Sequence, residues 1–236
     1  MRINKYIATS GLCSRRKAEE YVLSGQVKLN NKVITSLATN VDEYNDTVTI
    51  NGKKVVPVSR FIYIMMYKPK GCICSLSDDK GRKTVIDYLE DFKDKRIFPI
   101  GRLDYDTEGL LLLTNDGNLS NKLMQPISEI PKTYIAKIEG EILESDLAKL
   151  RKGVIIDGIK LNRCKIKVLE TENNVTRLEI TIFEGKNREI HKMFETVGKE
   201  IIFLKRIKIG DIKLGGLSRG AYRYLSDKEM NYLHKI

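Results

Sequence analysis

The segment from Gly101 to Gly117 constrains this chain more than any other: Gly-Arg-Leu-Asp-Tyr-Asp-Thr-Glu-Gly-Leu-Leu-Leu-Leu-Thr-Asn-Asp-Gly. It holds a carboxylate, Asp104, and a cation, Arg102, between two core-forming runs, Ile97-Phe98-Pro99-Ile100 and Leu110–Leu113. Apolar runs on both sides draw the segment against a core, so its ionisable groups must sit at the core's edge. A carboxylate there is open to tuning, because burial disfavours its charged form while a cation or hydrogen bonds favour it. On the residues alone, Asp104 reads more readily as a turn residue paired with a nearby arginine. Asp106 and Asp116 are local rivals, the latter within the ordinary turn sequence Asn115-Asp116-Gly117.

The chain's 236 residues suffice for one large domain or for a small domain plus a medium one. A hydrophobic content of 42% supplies a real core, and 31% charged residues argue for a soluble protein. The formal charge of +11 favours a polyanionic partner through phosphate contacts. Residues 1–60 hold ten Lys/Arg against five Asp/Glu, a net of +5, and the other 176 residues only +6, from 32 against 26. The basic bias is thus concentrated at the N-terminus. A membrane-binding basic tail fits the charge equally, but no lipidation signal accompanies it.

Four scattered cysteines, Cys13, Cys72, Cys74 and Cys164, and two histidines, His191 and His234, lack zinc-like spacing, so no metal is expected. Reduced thiols and a cytoplasmic location follow as the default. Met1-Arg2-Ile3-Asn4-Lys5 does not read as a signal peptide, and the apolar stretch Phe61–Tyr67 is too short to span a bilayer. No Gly-rich nucleotide loop or internal repeat occurs, and no cofactor is expected.

Residues 1–56 read as an independent module. Ile3, Tyr6 and Ile7 have helical spacing up to Ser10-Gly11, and Ser14 is placed to cap a second helix that runs to Leu23 and closes at Gly25. Asn30-Asn31 and Asn51-Gly52 mark hairpin turns between short strands. Residues 57–60 form the expected linker, and residues 61–236 a second domain. There, strand patterns near 61–67, 133–139, 161–169, 175–183 and 201–209 alternate irregularly with helix patterns near 84–92, 118–124, 144–151, 188–197 and 226–233. This order suits an α+β chain: a small N-terminal α/β domain, then a mixed, mainly antiparallel sheet with flanking helices.

Two further segments carry chemistry. In Lys132-Thr133-Tyr134-Ile135-Ala136-Lys137-Ile138, alternation places Tyr134, Ala136 and Ile138 on one strand face, where a tyrosine usually packs in a core. Glu184-Gly185-Lys186-Asn187-Arg188-Glu189-Ile190-His191-Lys192-Met193-Phe194 reads as a strand end, a Gly turn and a helix. The apolar side of that helix holds Ile190, Met193, Phe194 and Val197, and Gly198 is its stop.

The string Gly101–Leu111 resembles the active-site pattern Gly-Arg-Leu-Asp-x-x-Thr-x-Gly-Leu-Leu of bacterial ribosomal RNA pseudouridine synthases. The resemblance implies that Asp104 is the catalytic carboxylate and that Arg102 helps hold the RNA helix open where the target base has left. It implies that Tyr134 stacks on a flipped-out uracil and is placed to accept the C5 proton. It implies too that the 185–194 segment delivers cations to the site, one of which pairs with Asp104. That pairing position, usually Arg or Lys, falls on His191. A carboxylate partner is expected to raise the imidazole's pKa, with Lys186, Arg188 or Lys192 as replacements. Residues 14–19, Ser-Arg-Arg-Lys-Ala-Glu, resemble the ribosomal protein S4-like RNA-binding domain, which makes Arg15, Arg16, Lys17 and Lys28 candidate RNA contacts.

Tyr67–Gly71, Asp79–Val85, Leu204–Gly210 and Gly220–Arg223 resemble the ends of the same catalytic domain, and their basic residues are expected to contact phosphates. The Asp79-Lys80-Gly81-Arg82 segment resembles members acting on large-subunit RNA, so 23S is favoured over 16S. The partner implied is ribosomal RNA or a pre-ribosomal particle, met by a monomer with no membrane involved. A non-catalytic ribosome-assembly factor on the same fold is the rival from another class. An RNA methyltransferase is a more distant one, since it needs a Gly-rich cofactor loop.

Overall fold

The paired asparagines and the Asn-Gly step at the N-terminus fold as their turn chemistry requires. The computed structural model describes residues 1–236, the side chain of Pro126 excepted. Helices α1 (Ile3–Thr9) and α2 (Arg15–Leu23) precede strands β1 (Val27–Leu29), β2 (Lys32–Ile34), β3 (Val48–Ile50) and β4 (Lys53–Lys54). The strands form an antiparallel sheet in the order β2-β1-β3-β4. Asn30 and Asn31, with φ of 49° and 67°, make the β1–β2 turn, and Asn51 and Gly52 make the β3–β4 turn with φ of 49° and 79°. Ser14 caps α2, its hydroxyl accepting from the Lys17 amide at 3.0 Å. Ile3, Ile7, Ala18, Val22, Val27 and Val48 build the core. This compact unit comprises Met1–Ile62 with Glu90–Phe98 and Thr114–Gly117.

The second unit comprises Tyr63–Leu89, Pro99–Leu113 and Asn118–Ile236. Its elements in chain order begin with β5 (Tyr63–Lys68), β6 (Phe98–Ile100), β7 (Glu108–Thr114), α3 (Gly117–Met124), β8 (Lys132–Glu139) and α4 (Glu144–Lys152). The small hairpin β9 (Ile155–Ile156) and β10 (Ile159–Lys160) follows, then β11 (Lys165–Glu172), β12 (Val175–Ile182), α5 (Glu189–Glu195) and β13 (Ile201–Ile209). Strands β14 (Ile212–Lys213) and β15 (Tyr222–Tyr224) and helix α6 (Asp227–Lys235) complete it. The main sheet has the order β11-β12-β8-β13-β7-β5-β15, with β14 on β13 and β6 on β7. The β11–β12, β12–β8, β8–β13, β13–β14 and β15–β5 pairings are antiparallel, and β13 and β7 run parallel. The sheet is therefore mixed and mainly antiparallel, with helices against it.

The leucine run explains itself here. Strand β7 is buried at every position, as a central strand covered on both faces must be. Leu110 and Leu112 join Met65, Leu119, Leu123 and Leu233 in one core, while Ala136, Ile138, Leu178, Ile180, Met193 and Phe194 join in another. The α5 apolar residues pack as their spacing requires, and Gly198 follows with φ of 67°.

One helix expected from periodicity does not form. Residues 84–92 instead make two short 3-10 turns, Ile86–Tyr88 and Glu90–Phe92, broken at Leu89 by φ −100° and ψ 63°. The Asp87 carboxylate folds back to accept from the Thr84 amide at 2.7 Å and its hydroxyl at 3.1 Å, closing a local turn instead of extending a helix. The strand expected at 161–169 begins at Lys165, because Leu161 and Cys164 are buried in the connection before it.

The parallel β7–β13 contact imposes the strictest local demand. Register aligns Gly109 with Arg206, and Gly109 takes φ of 113°. A Cβ added there would lie under 3.0 Å from the backbone N, C and O of Arg206. Gly109→Ala is expected to cost about 3 kcal/mol or more in urea unfolding, through overpacking and backbone strain combined. Gly117→Ala, where a Cβ meets nothing within 4 Å, is the control and should be near neutral. Equal stability of the two variants would refute the close-approach account.

Candidate active site

The loop between β6 and β7 presents Asp104, and a buried lysine holds that loop. Lys68, fully buried at the end of β5, donates to the carbonyls of Pro69 at 3.0 Å, Asp104 at 3.0 Å and Thr107 at 2.8 Å. Three carbonyl acceptors match the three donors of an ammonium group, which is what lets the charge remain inside. Burial nevertheless pushes the Lys68 ammonium below the usual lysine range, opposed by Cys72, Cys74, Asp106 and Asp104. The Asp104 carbonyl also accepts from the Thr107 amide at 3.2 Å, and the Leu103 amide donates to Cys74 Sγ at 3.3 Å. The loop backbone is thereby fixed while the half-buried Asp104 side chain lines a cavity of about 670 Å³.

Tyr134 lines the same cavity from β8 and is itself largely buried. Burial alternates along the strand as the sequence pattern requires, with Ala136 and Ile138 beside Tyr134 on the core face. The cavity also takes in Arg102, Lys186, Arg188 and His191, so six of the seven residues assigned to the site from sequence converge there. Arg102 and Lys186 are exposed, and Lys186 pairs with Glu184 at 2.7 Å. The seventh, Lys192, is absent from the lining and pairs with Asp157 at 2.5 Å.

The cations of the 185–194 segment engage a different carboxylate from the one expected. Arg188, the residue before α5, holds a left-handed conformation with φ 49° and ψ 33°, a strained choice for a side-chain-bearing residue. Its Nη1 lies 3.2 Å from Asp106 Oδ2, and His191 Nε2 lies 3.7 Å from the same oxygen. Asp106, not Asp104, is thus the ion-paired member of the motif. Burial acts to raise the Asp106 pKa, but the Arg188 hydrogen bond and the His191 and Arg188 charges outweigh it, and the net shift is downward. Asp106 and Asp104 do act to raise the His191 pKa, as expected of carboxylate neighbours, but they do not prevail. Burial first, and then the Arg188 charge, overcome Asp106 and Asp104, and the net shift of the imidazole pKa is downward.

Four cavity neighbours carry more weight than the sequence indicated: Lys68, Lys132, Glu189 and Arg206. Lys68 and Arg206 stood among basic residues expected to touch phosphates, yet both are buried, and Arg206 Nε donates to the Leu110 carbonyl at 2.7 Å. Arg82 and Arg223 are likewise paired, with Asp78 and Glu229, each at 2.7 Å. Periodicity gave one available signal: Arg206 falls in step with Leu204, an inward position on β13.

Comparison with known proteins agrees with this architecture. Residues 62–196 match the RNA pseudouridylate synthase family and residues 1–48 match the S4 domain. The chain is 44% identical over 237 residues to the ribosomal large subunit pseudouridine synthase B of Bacillus subtilis (strain 168), covering 100% of this chain and 96% of that one. It is 40% identical over 236 residues to an uncharacterized RNA pseudouridine synthase of Aquifex aeolicus (strain VF5), covering 100% and 94%. A pseudouridylate synthase crystal structure matches with a TM-score of 0.72 at 28% identity, over 99% of each chain. Fold and relatives together define an RNA-modifying isomerase that carries an N-terminal RNA-binding domain. The chain belongs to the RNA pseudouridylate synthase family.

Two outcomes are expected. Lys68→Met leaves three carbonyls without their donor and should lower unfolding free energy by about 3 kcal/mol, with turnover falling even far below the melting temperature. Unchanged turnover would show that other contacts hold the Asp104 loop. The depressed His191 pKa has a definite sign: below pH 6.5 the unfolded chain takes a proton that the folded one resists, so stability falls with pH. In thermal melts from pH 7.5 to 5.5, His191→Gln should flatten that fall, and an unaltered slope would assign it to other groups.

Proposed function

We propose that this chain isomerises a specific uridine to pseudouridine in ribosomal RNA of the large subunit, with Asp104 as the catalytic carboxylate and Tyr134 as the aromatic platform for the flipped-out base. The observation that carries this reading is the meeting of Asp104 and Tyr134, from separate strands and loops, in one cavity with Arg102, Lys186, Arg188 and His191. The large-subunit assignment is supported by the Bacillus relative's name and by the 79–82 segment. Small-subunit RNA would be the alternative substrate.

The reaction breaks the ribose C1′–N1 bond, turns the base and joins C1′ to C5. An ionised carboxylate near the sugar serves each route to that end, whether it attacks C1′, adds to C6 or takes a 2′ proton. Asp104 suits this role better than Asp106, whose carboxylate is committed to Arg188 and His191. Tyr134 offers a ring for the base and a hydroxyl near C5. Lys192, which pairs outside the cavity, is the one earlier candidate with no part in this reading.

Residues 1–56 act as the RNA-binding domain, 57–60 as the linker and 61–236 as the catalytic domain of a monomer working on ribosomal RNA or a pre-ribosomal particle. Arg15, Arg16, Lys17 and Lys28 are exposed, and the first three occupy the first turn of α2. Cations there oppose the helix dipole, a cost that phosphate binding would offset. Lys17 is partly engaged by Glu20 at 2.6 Å, an exposed pair of little consequence for stability.

Pseudouridine mapping of total ribosomal RNA, with and without the gene, tests the reading. One large-subunit site should vanish on deletion and return with the wild-type chain, not with Asp104→Asn. Rescue by Asp104→Asn, or loss of no site alongside an assembly defect, would instead support a binding factor.

A further inference from the structure

Among the described residues, three buried side-chain atoms lack a hydrogen-bond partner: Thr107 Oγ1, His191 Nδ1 and Arg206 Nη2. All three residues line the same 670 Å³ cavity. Leaving a buried polar atom unpaired costs on the order of 1–3 kcal/mol, and native structures seldom tolerate it without a functional reason. The three residues that carry these atoms line one cavity, which points to a ligand there as the missing partner.

Arg206 says most about that ligand, because its charge is permanent. It is only 4% exposed, and its Nε bond to the Leu110 carbonyl anchors the guanidinium while Nη2 stays free to donate. Its register partner across β13 and β8 is Tyr134. Lys132, two residues before Tyr134, also lines the cavity, and its ammonium donates to the Ile130 carbonyl at 3.0 Å. Burial and then the Arg206 charge push Lys132 below the usual lysine range, with Glu189 opposing. The Glu189 carboxylate accepts from the Lys186 amide at 2.7 Å. Two cations therefore share the cavity beside Tyr134, and neither makes an ion pair among the described residues.

We propose that Arg206 donates through Nη2 to a carbonyl oxygen of the flipped-out uracil and stabilises the base as the anion that forms when C1′–N1 breaks. The proposal rests on the pseudouridine synthase reading above. When that bond breaks, its electron pair passes to the base and spreads from N1 onto O2 and O4. After the ring turns, C5 supplies a pair to C1′, the C5 proton leaves and N1 takes up a proton, so no net charge or oxidation change remains. A fixed, buried cation beside the carbonyl stabilises the anionic stage without reorganising. The Tyr134 ring provides stacking but no positive charge. A backbone phosphate is the competing acceptor; exposed Arg102 and Lys186 are accessible to solvated phosphates, whereas buried Arg206 is not.

The test uses the ribosomal RNA fragment containing the mapped uridine, made with natural uridine and with O2 or O4 replaced by sulfur, a poorer acceptor. Turnover and KM are measured for wild type, Arg206→Gln and Arg206→Lys, with melting temperatures alongside. Arg206→Gln should lower kcat about 100-fold while KM changes little, and Arg206→Lys should recover part of the loss. Sulfur at the contacted oxygen should slow wild type about tenfold and Arg206→Gln hardly further. An equal sulfur effect in both proteins, or a rise in KM alone, would place Arg206 on a phosphate and overturn the proposal. Should Arg206→Gln not fold, Arg206→Lys carries the same comparison, since it keeps the charge but loses the guanidinium fork. A wild type that binds this RNA yet leaves the natural uridine unchanged would refute the synthase reading, and the Arg206 role with it.

Discussion

The close approach of β7 to β13 at Gly109 and Arg206 governs the catalytic unit. It is a backbone-to-backbone contact with no room for a side chain at Gly109, set within a parallel pairing of a mainly antiparallel sheet. Asp104 lies five residues before Gly109, in the loop that leads into β7. On β13, the residue opposite Gly109 is Arg206, whose other neighbour across the sheet is Tyr134. One steric constraint thus bears on the spacing among the Asp104 loop, the buried Arg206 guanidinium and Tyr134. A glycine in the middle of a strand, usually a weakness, is here the condition for the site.

The two carboxylates of the motif are held differently, with Asp104 lining the cavity and Asp106 outside its lining. Asp106 collects Arg188 and the nearby imidazole, which anchors the turn before α5 to the motif loop. Asp104 contributes its backbone carbonyl to Lys68 and keeps its side chain toward the cavity. Lys68 does for the loop what an ion pair could not do as well inside a core: it donates to three carbonyls at once and fixes backbone shape without engaging the Asp104 carboxylate. Desolvation and the Arg188 charge exceed the pull of the carboxylates on His191 and lower its pKa.

Much of the architecture was legible along the chain. Paired asparagines specify turns of positive φ, Ser14 specifies a helix start, and alternation in 132–138 specifies which face Tyr134 shares with the core. These are local instructions, settled by sterics and by hydrogen bonds a few residues apart. The helix expected over 84–92 failed for a local reason as well, since Asp87 found Thr84 before a helix could propagate. The basic segments were harder to read. Lys68 and Arg206 look in sequence like any surface lysine and arginine, and only the carbonyls gathered around them in the fold make them interior groups.

The sequence by itself determined the class of fold, the family motif around Asp104 and the strand that carries Tyr134, because these depend on periodicity and on residue types at fixed spacing. The tertiary structure decided which carboxylate takes the ion pair, which cations are buried, which buried polar atoms are left unpaired beside the cavity, and that Lys192 pairs with Asp157. Those outcomes depend on distances between segments far apart in the chain and on how much solvent each group loses, quantities that no one-dimensional pattern contains.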